Sequence, residues 1–138
     1  HAVFGGEHSA HYYFSEFFNA DSGILAAMHI LAALGNQEKP LSELMASYER
    51  YESSGEINTR LESQEEQQER TQAVLYAFAD RTESVDTLDG VTVQLRDTPA
   101  WFSVRASNTE PLLRLNVEAP TKDEVTALVT EILDIIRK

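Results

Sequence analysis

Cysteine is absent from the 138-residue chain, which excludes disulfides and thiolate metal sites and suits a reducing cytoplasm. Positive charge is scarce: 11 Lys+Arg stand against 23 Asp+Glu, a formal net charge of -12. A chain so poor in cations has no basic face with which to neutralise a polyanion, so nucleic acid is not expected as a partner. Long apolar runs are missing too. The longest, residues 24–34, contains His29 and falls well short of the ~20 residues a membrane span needs, so it reads as a core helix and no membrane is expected as a partner. No charged-then-apolar leader opens the chain and its first residue is His1, so the expectation is an internal fragment. No internal repeat is found.

With 42% hydrophobic residues the chain has enough apolar material for a sizeable core, and its length suits one ordinary domain or two small pieces. Residues 2–5 read as a strand end, followed by a polar turn, Gly5-Gly6-Glu7-His8-Ser9-Ala10-His11. Asp21 or Ser22 can cap a helix whose Ile24, Leu25, Met28, Leu31 and Ala32 recur at helical spacing, with Gly35 as its stop. A second helix is expected from Pro40 to about Tyr48. These two helices need something further to bury against.

Beyond Tyr51 the pattern changes. Residues 56–61 alternate like a strand, Ser63-x-x-Glu66 is a capping box, and the acidic, Gln-rich turn behind it leads into Val74, Leu75 and Phe78 as a helix to about Asp80. Three further strands are expected at 91–95, 101–105 and 112–117, and a second capping box, Thr121-x-x-Glu124, opens a closing helix with an apolar stripe. The fold class is α+β: a partial α/β piece, strand end plus helices, at 1–50, then at 51–138 a small domain with an antiparallel sheet covered by helices on one face.

The densest chemistry lies in Arg105-Ala106-Ser107-Asn108-Thr109-Glu110-Pro111, followed by Arg114. Two guanidiniums bracket a short polar loop, and planar Arg forks match phosphate oxygens while Ser107, Asn108 and Thr109 add donors. Strand parity places Arg105 and Arg114 away from the faces of Phe102, Val104, Leu113 and Leu115, so the two can converge over the loop. The plainer alternative is a turn whose arginines pair with Glu110 or Glu118 on the surface, at about 0–1 kcal/mol each.

This loop resembles the C-terminal phosphate-binding loop of the α-D-phosphohexomutases, the phosphomannomutase/phosphoglucomutase branch above all. Thr87-Leu88-Asp89-Gly90-Val91 resembles that family's upstream strand and turn, and Ser54-Gly55-Glu56-Ile57-Asn58 the strand opening its fourth domain. Gly6-Glu7-His8-Ser9-Ala10-His11 is similar to the sugar-recognition loop of its third domain, usually Gly-Glu-Met-Ser-Gly-His, with His8 and Ala10 as departures. The resemblance implies that 1–50 is the end of domain 3 and 51–138 is domain 4 of an enzyme that interconverts hexose 1-phosphate and hexose 6-phosphate, of mannose or glucose, through a bisphosphorylated sugar. It implies phosphate ligation by Arg105, Ser107, Asn108, Thr109 and Arg114, sugar contacts by Glu7 and Ser9, and proton-transfer assistance by His11. Asn108 favours the mannose/glucose branch over the glucosamine one.

The family's phosphoserine segment and its aspartate-rich Mg²⁺ loop have no counterpart here, since neither an Asp-Gly-Asp-Gly-Asp-Arg run nor a Ser-His-Asn segment occurs. The expected partners are therefore a hexose phosphate and the remaining domains of the same cytoplasmic protein, with Mg²⁺ held by one of those domains, no metal here and no turnover by this chain alone. A non-catalytic sugar-phosphate-binding or interaction module of the same fold stays open, as does an acidic scaffold without a ligand. Glu7, His8 and His11 as metal ligands are a weaker alternative. His29 is expected in a core or half-buried, and the aromatics Tyr12, Tyr13, Phe14, Phe17, Phe18 and Trp101 in cores or beneath missing domains.

Overall fold

A computed structural model describes residues 2–7 and 9–138. The chain divides into two compact units, His1–Glu49 and Arg50–Lys138.

The first unit holds a three-stranded antiparallel sheet in the order β1 (Phe4–Gly6), β2 (Tyr12–Phe14), β3 (Ala20–Asp21). Only the first of these strands shows in the sequence; β2 and β3 are too short for alternation to show, and their pairing defines them. Phe14, the one buried apolar residue among the described residues of this unit, packs edge-on against Phe4 at 5.4 Å and stacks with His29 at 5.3 Å. Ser22, rather than Asp21, caps helix α1 (Gly23–Gly35), its Oγ accepting from the Leu25 amide. Gly35 ends α1 as its last helical residue and not as a left-handed cap; the cap is Asn36, at φ −88°, whose amide donates to Ala32 O and Leu34 O. Helix α2 spans Leu41–Ala46.

The expected core helix is not in a core: no residue of α1 is buried, and Ile24 and Leu31 stand 78% and 65% exposed. Strands of three, three and two residues offer too little surface to cover its apolar face. His29 likewise lies exposed, with Nε2 3.3 Å from Glu16, instead of inside a core.

The second unit is an antiparallel sheet in the order β4 (Glu52–Ser53), β9 (Leu112–Ala119), β8 (Trp101–Ala106), β7 (Val91–Leu95), β6 (Thr82–Asp86), with β5 (Ile57–Arg60) also pairing with β9. Strands β4 and β6 are additions to the expected set. Both are edge elements; β6 is exposed along almost its whole length, so it carries no burial alternation to read. Helices α3 (Gln64–Phe78) and α4 (Lys122–Ile136) open on the two capping boxes, Ser63 Oγ accepting from the Glu66 amide and Thr121 Oγ1 from the Glu124 amide. In the first box Glu66 reaches back one residue further than the ideal, to the Glu62 amide at 2.8 Å.

Both helices cover one face of the sheet. Val74 and Phe78 of α3 and Val125, Leu128, Ile132 and Ile136 of α4 join Val93, Phe102, Val104, Leu113, Leu115 and Val117 in a single core. Phe78 and Phe102 meet edge to face at 4.9 Å. Strict alternation on β9 buries Leu113, Leu115 and Val117 and leaves Arg114 and Asn116 on the open face. Among the described residues no helix is long and apolar enough to cross a membrane.

Candidate functional site

In the second unit the loop of residues 107–111 joins β8 to β9, and the backbone of both strands sets its shape. The Ser107 amide donates to Leu112 O at 2.8 Å and the Leu61 amide to Pro111 O at 2.9 Å. Buried Gln67 on α3 sends Nε2 to Leu112 O at 3.0 Å, tying the end of the loop to the helical layer. Arg105 and Arg114 are direct partners in the β8–β9 register. Like charges placed directly opposite on antiparallel strands destabilise the pair, so this arrangement calls for counter-charge.

Carboxylates distant in sequence supply part of it. Arg105 Nη1 lies 2.7 Å from Asp89 Oδ2 and Arg114 Nη1 lies 3.6 Å from Glu56 Oε2, in place of the Glu110 and Glu118 pairings that the sequence suggested. Arg114 Nη2 also lies 3.5 Å from Ser107 Oγ, and its Nε is buried without a hydrogen-bond partner. Arg105, residues 106–109, Arg114 and Asp89 line one polar cavity of about 190 Å³. The structure thus brings Arg105, Ser107, Asn108, Thr109 and Arg114 together, and adds Asp89 and Glu56, which no local pattern marks. A neighbouring cavity of about 400 Å³ shares residues 106–108 but is walled by the carboxamides of Gln64, Gln67, Gln68 and Gln72, which carry no charge to meet an anion.

Gly90 explains itself at this point. It sits in the β6–β7 turn with φ +74°, and a Cβ there would lie 2.8 Å from Val104 O and 2.9 Å from Arg105 Cβ. The turn that carries Asp89 can approach the strand that carries Arg105 only because residue 90 has no side chain.

In the first unit, the β1–β2 hairpin is closed at its tip by Glu7 N–H to His11 O at 2.9 Å and Ala10 N–H to Glu7 O at 3.0 Å. Ala10 takes φ +65°, the left-handed conformation that favours glycine, at one of the two positions where the motif departs from its usual form. His8, the other departure, lies outside the described residues, and with it the Glu7, His8 and His11 metal alternative. Among the described residues no cluster of three or more His, Cys, Asp or Glu is placed to hold a metal ion.

Side chains fix this loop. Tyr13 Oη donates to Glu7 Oε1 at 2.5 Å and Ser9 Oγ to Glu7 Oε2 at 3.1 Å, and the Tyr13 bond, then the Ser9 bond, holds the Glu7 carboxyl below the ordinary carboxylate range. His11 Nδ1 lies 2.7 Å from Asp21 Oδ2, and that bond, reinforced by the Asp21 charge, raises the imidazole above its ordinary value. The same bond, with one from the Tyr12 amide, lowers Asp21. Tyr13 and Asp21 are site residues that sequence reasoning missed. The sequence offers Asp21 only as one of two cap candidates, with Ser22, and Tyr13 only as an aromatic for a core or for cover by missing domains, because only the hairpin register puts them beside Glu7 and His11.

Comparison with known proteins agrees along the whole chain. Residues 56–135 match the model of the phosphoglucomutase/phosphomannomutase C-terminal domain, and residues 1–51 that of the family's alpha/beta/alpha domain III. The chain is 39% identical over 137 residues to a phosphomannomutase of Methanocaldococcus jannaschii, covering 99% of this chain and 29% of that protein. It is 38% identical over 136 residues to a protein of Xanthomonas campestris named phosphohexose mutases, covering 97% of this chain and again 29% of the relative. The crystal structure of a phosphoglucomutase/phosphomannomutase family protein from Burkholderia thailandensis shares the fold, with TM-score 0.73 at 22% identity over 99% of this chain and 29% of that one. The chain therefore spans less than a third of the length of these relatives.

Proposed function

Because the chain belongs to the phosphoglucomutase/phosphomannomutase family, we propose that it is the substrate-anchoring part of a mutase acting on mannose or glucose phosphates, domain 3 ending near residue 50 and domain 4 following. Arg105 and Arg114, with Ser107, Asn108 and Thr109, hold the phosphate that is not being transferred. Glu7 and Ser9 contact sugar hydroxyls, and His11 assists proton transfer. The observation that carries this reading is the pair of arginines opposed across β8 and β9 over a small polar cavity, whose mutual repulsion Asp89 and Glu56 offset in part and a bound anion would offset further.

Phosphoryl transfer draws on orientation and electrostatics, so a clamp on the distant phosphate raises the rate without touching the reacting bond. The phosphoserine and the Mg²⁺ loop belong to other segments of the longer protein, and a cytoplasmic setting suits the absence of cysteine. The described residues do not fit a Mg²⁺ site, and no step assigned to this chain runs through the ion. By itself the chain binds and does not turn over.

Titration of the ¹⁵N-labelled chain with inorganic phosphate and with mannose 1-phosphate is expected to move the amide signals of Ser107, Asn108 and Thr109. Arg105→Ala is expected to weaken that binding about 10- to 100-fold, the range for losing hydrogen bonds to a charged group worth about 1.5–3 kcal/mol. Undisturbed loop amides at millimolar ligand would overturn the anion site, and turnover by the purified chain would overturn its passive role.

A further inference from the structure

Asp21 divides its two oxygens between two different tasks. The β2–β3 register sets it opposite Tyr13, from where Oδ1 accepts the Tyr12 amide at 3.0 Å and Oδ2 sits 2.7 Å from His11 Nδ1. An ionised carboxylate only accepts, so the proton of the neutral imidazole resides on Nδ1. Nε2 is then the free acceptor, and among the described residues no hydrogen bond engages it. The His11 backbone is fixed by the Glu7 amide, which donates to His11 O. Among the described residues the titratable groups around the imidazole are Asp21 on β3, Glu7 in the loop and, bonded to Glu7, Tyr13 on β2.

We infer that Asp21 is a positioning residue for proton transfer: by clamping Nδ1 it fixes the tautomer and aim of His11 so that Nε2 accepts the proton of a hexose hydroxyl. The inference rests on the proton-transfer role proposed for His11. In the step it serves, the hydroxyl gives its proton to Nε2 as its oxygen bonds to the phosphorus of a phosphomonoester donor. The bond between phosphorus and the donor oxygen breaks, and its electron pair stays on that oxygen. Asp21 then faces an imidazolium, which its charge stabilises, and the reverse reaction returns the proton along the same path.

Asp21→Asn separates positioning from simple folding. The Tyr12 amide needs an acceptor and takes the single oxygen of the new carboxamide, leaving its NH₂ to face Nδ1. Nδ1 must then accept, and the imidazole proton moves to Nε2, where the hydroxyl requires a lone pair. In the intact mutase the expected result is kcat lowered about 10- to 100-fold, a part of the ~10²–10⁴ that a positioned acid or base contributes, with KM within about twofold. The acid limb of the kcat profile should move to lower pH, as the imidazole loses the carboxylate that raised it. A D21N enzyme with normal kcat and an unmoved limb, alongside an inactive His11→Ala enzyme, would overturn the role of Asp21 and leave that of His11 intact. An H11A enzyme with undiminished kcat would remove the premise itself. Independently of any variant, ¹⁵N chemical shifts of the unaltered chain should report the Nδ1–H tautomer at pH above the His11 titration, and an Nε2–H tautomer there would overturn the inference.

Discussion

The two candidate loops are built by different means. Residues 107–111 hang between a six-residue and an eight-residue strand whose inner faces are sealed beneath α3 and α4, so main-chain register aims Arg105 and Arg114. Glu7 and His11 stand at the end of a hairpin of three-residue strands with a single buried apolar residue among the described residues of that unit, and there they are aimed by Tyr13, Ser9 and Asp21. A dense core lets the backbone hold a site, whereas a thin one leaves the task to side-chain bonds that titrate.

The sharpest way to break this contrast is to cut each apolar layer once. Phe102→Ala, in the sealed core, is expected to cost about 3–5 kcal/mol, while Leu31→Ala on the exposed face of α1 should stay within about 0.5 kcal/mol, both read from denaturant melts of the chain. Equal losses would mean that α1 is buried in solution and that the first unit is not thin.

Next in size is the approach of the Asp89 turn to β8. Gly90→Ala combines a left-handed penalty of about 1–2 kcal/mol with overpacking of about 1–3 kcal/mol, so a loss of about 2–5 kcal/mol is expected, with weaker phosphate binding measured by the same titration that tests Arg105. An unchanged melt would show that the turn does not depend on its closeness to Arg105.

The smallest effect is the pH response of the 7–11 loop. His11 titrates above its ordinary value, so the bond to Asp21 contributes stability that is complete below about pH 6.5 and is lost as pH rises through the raised value. Asp21 and Glu7 titrate below theirs, so their contribution is complete above about pH 4.3 and is lost as pH falls through the lowered values. Hydrogen exchange corrected for intrinsic rate at the Tyr12 and Ser22 amides should therefore show most protection between those limits. Protection independent of pH would place the loop among backbone-held structures, like its counterpart.

Much of the second unit was legible because its signals are local. The boxes at Ser63 and Thr121 lie within four residues of themselves, and the alternation of β8 and β9 reports burial directly. Strand β6 was not legible, since an exposed edge has no alternation, and β2, β3 and β4 are defined by partners more than by composition. Helix α1 shows the converse: its apolar periodicity predicts a helix correctly, but periodicity names a face that prefers burial without saying what covers it.

Sequence alone determined which residues are the candidates for the chemistry, because the types and order in residues 105–114 and 6–11 are local properties of the chain. It also determined that the arginines share a face turned from the core, a consequence of strand parity. Only the tertiary structure decided what surrounds them. Asp89 lies 16 residues before Arg105, Glu56 further still from Arg114, and Asp21 ten residues after His11. Charges so separated meet through antiparallel register and a glycine that lets two strands close up, and no periodicity in the chain encodes those distances.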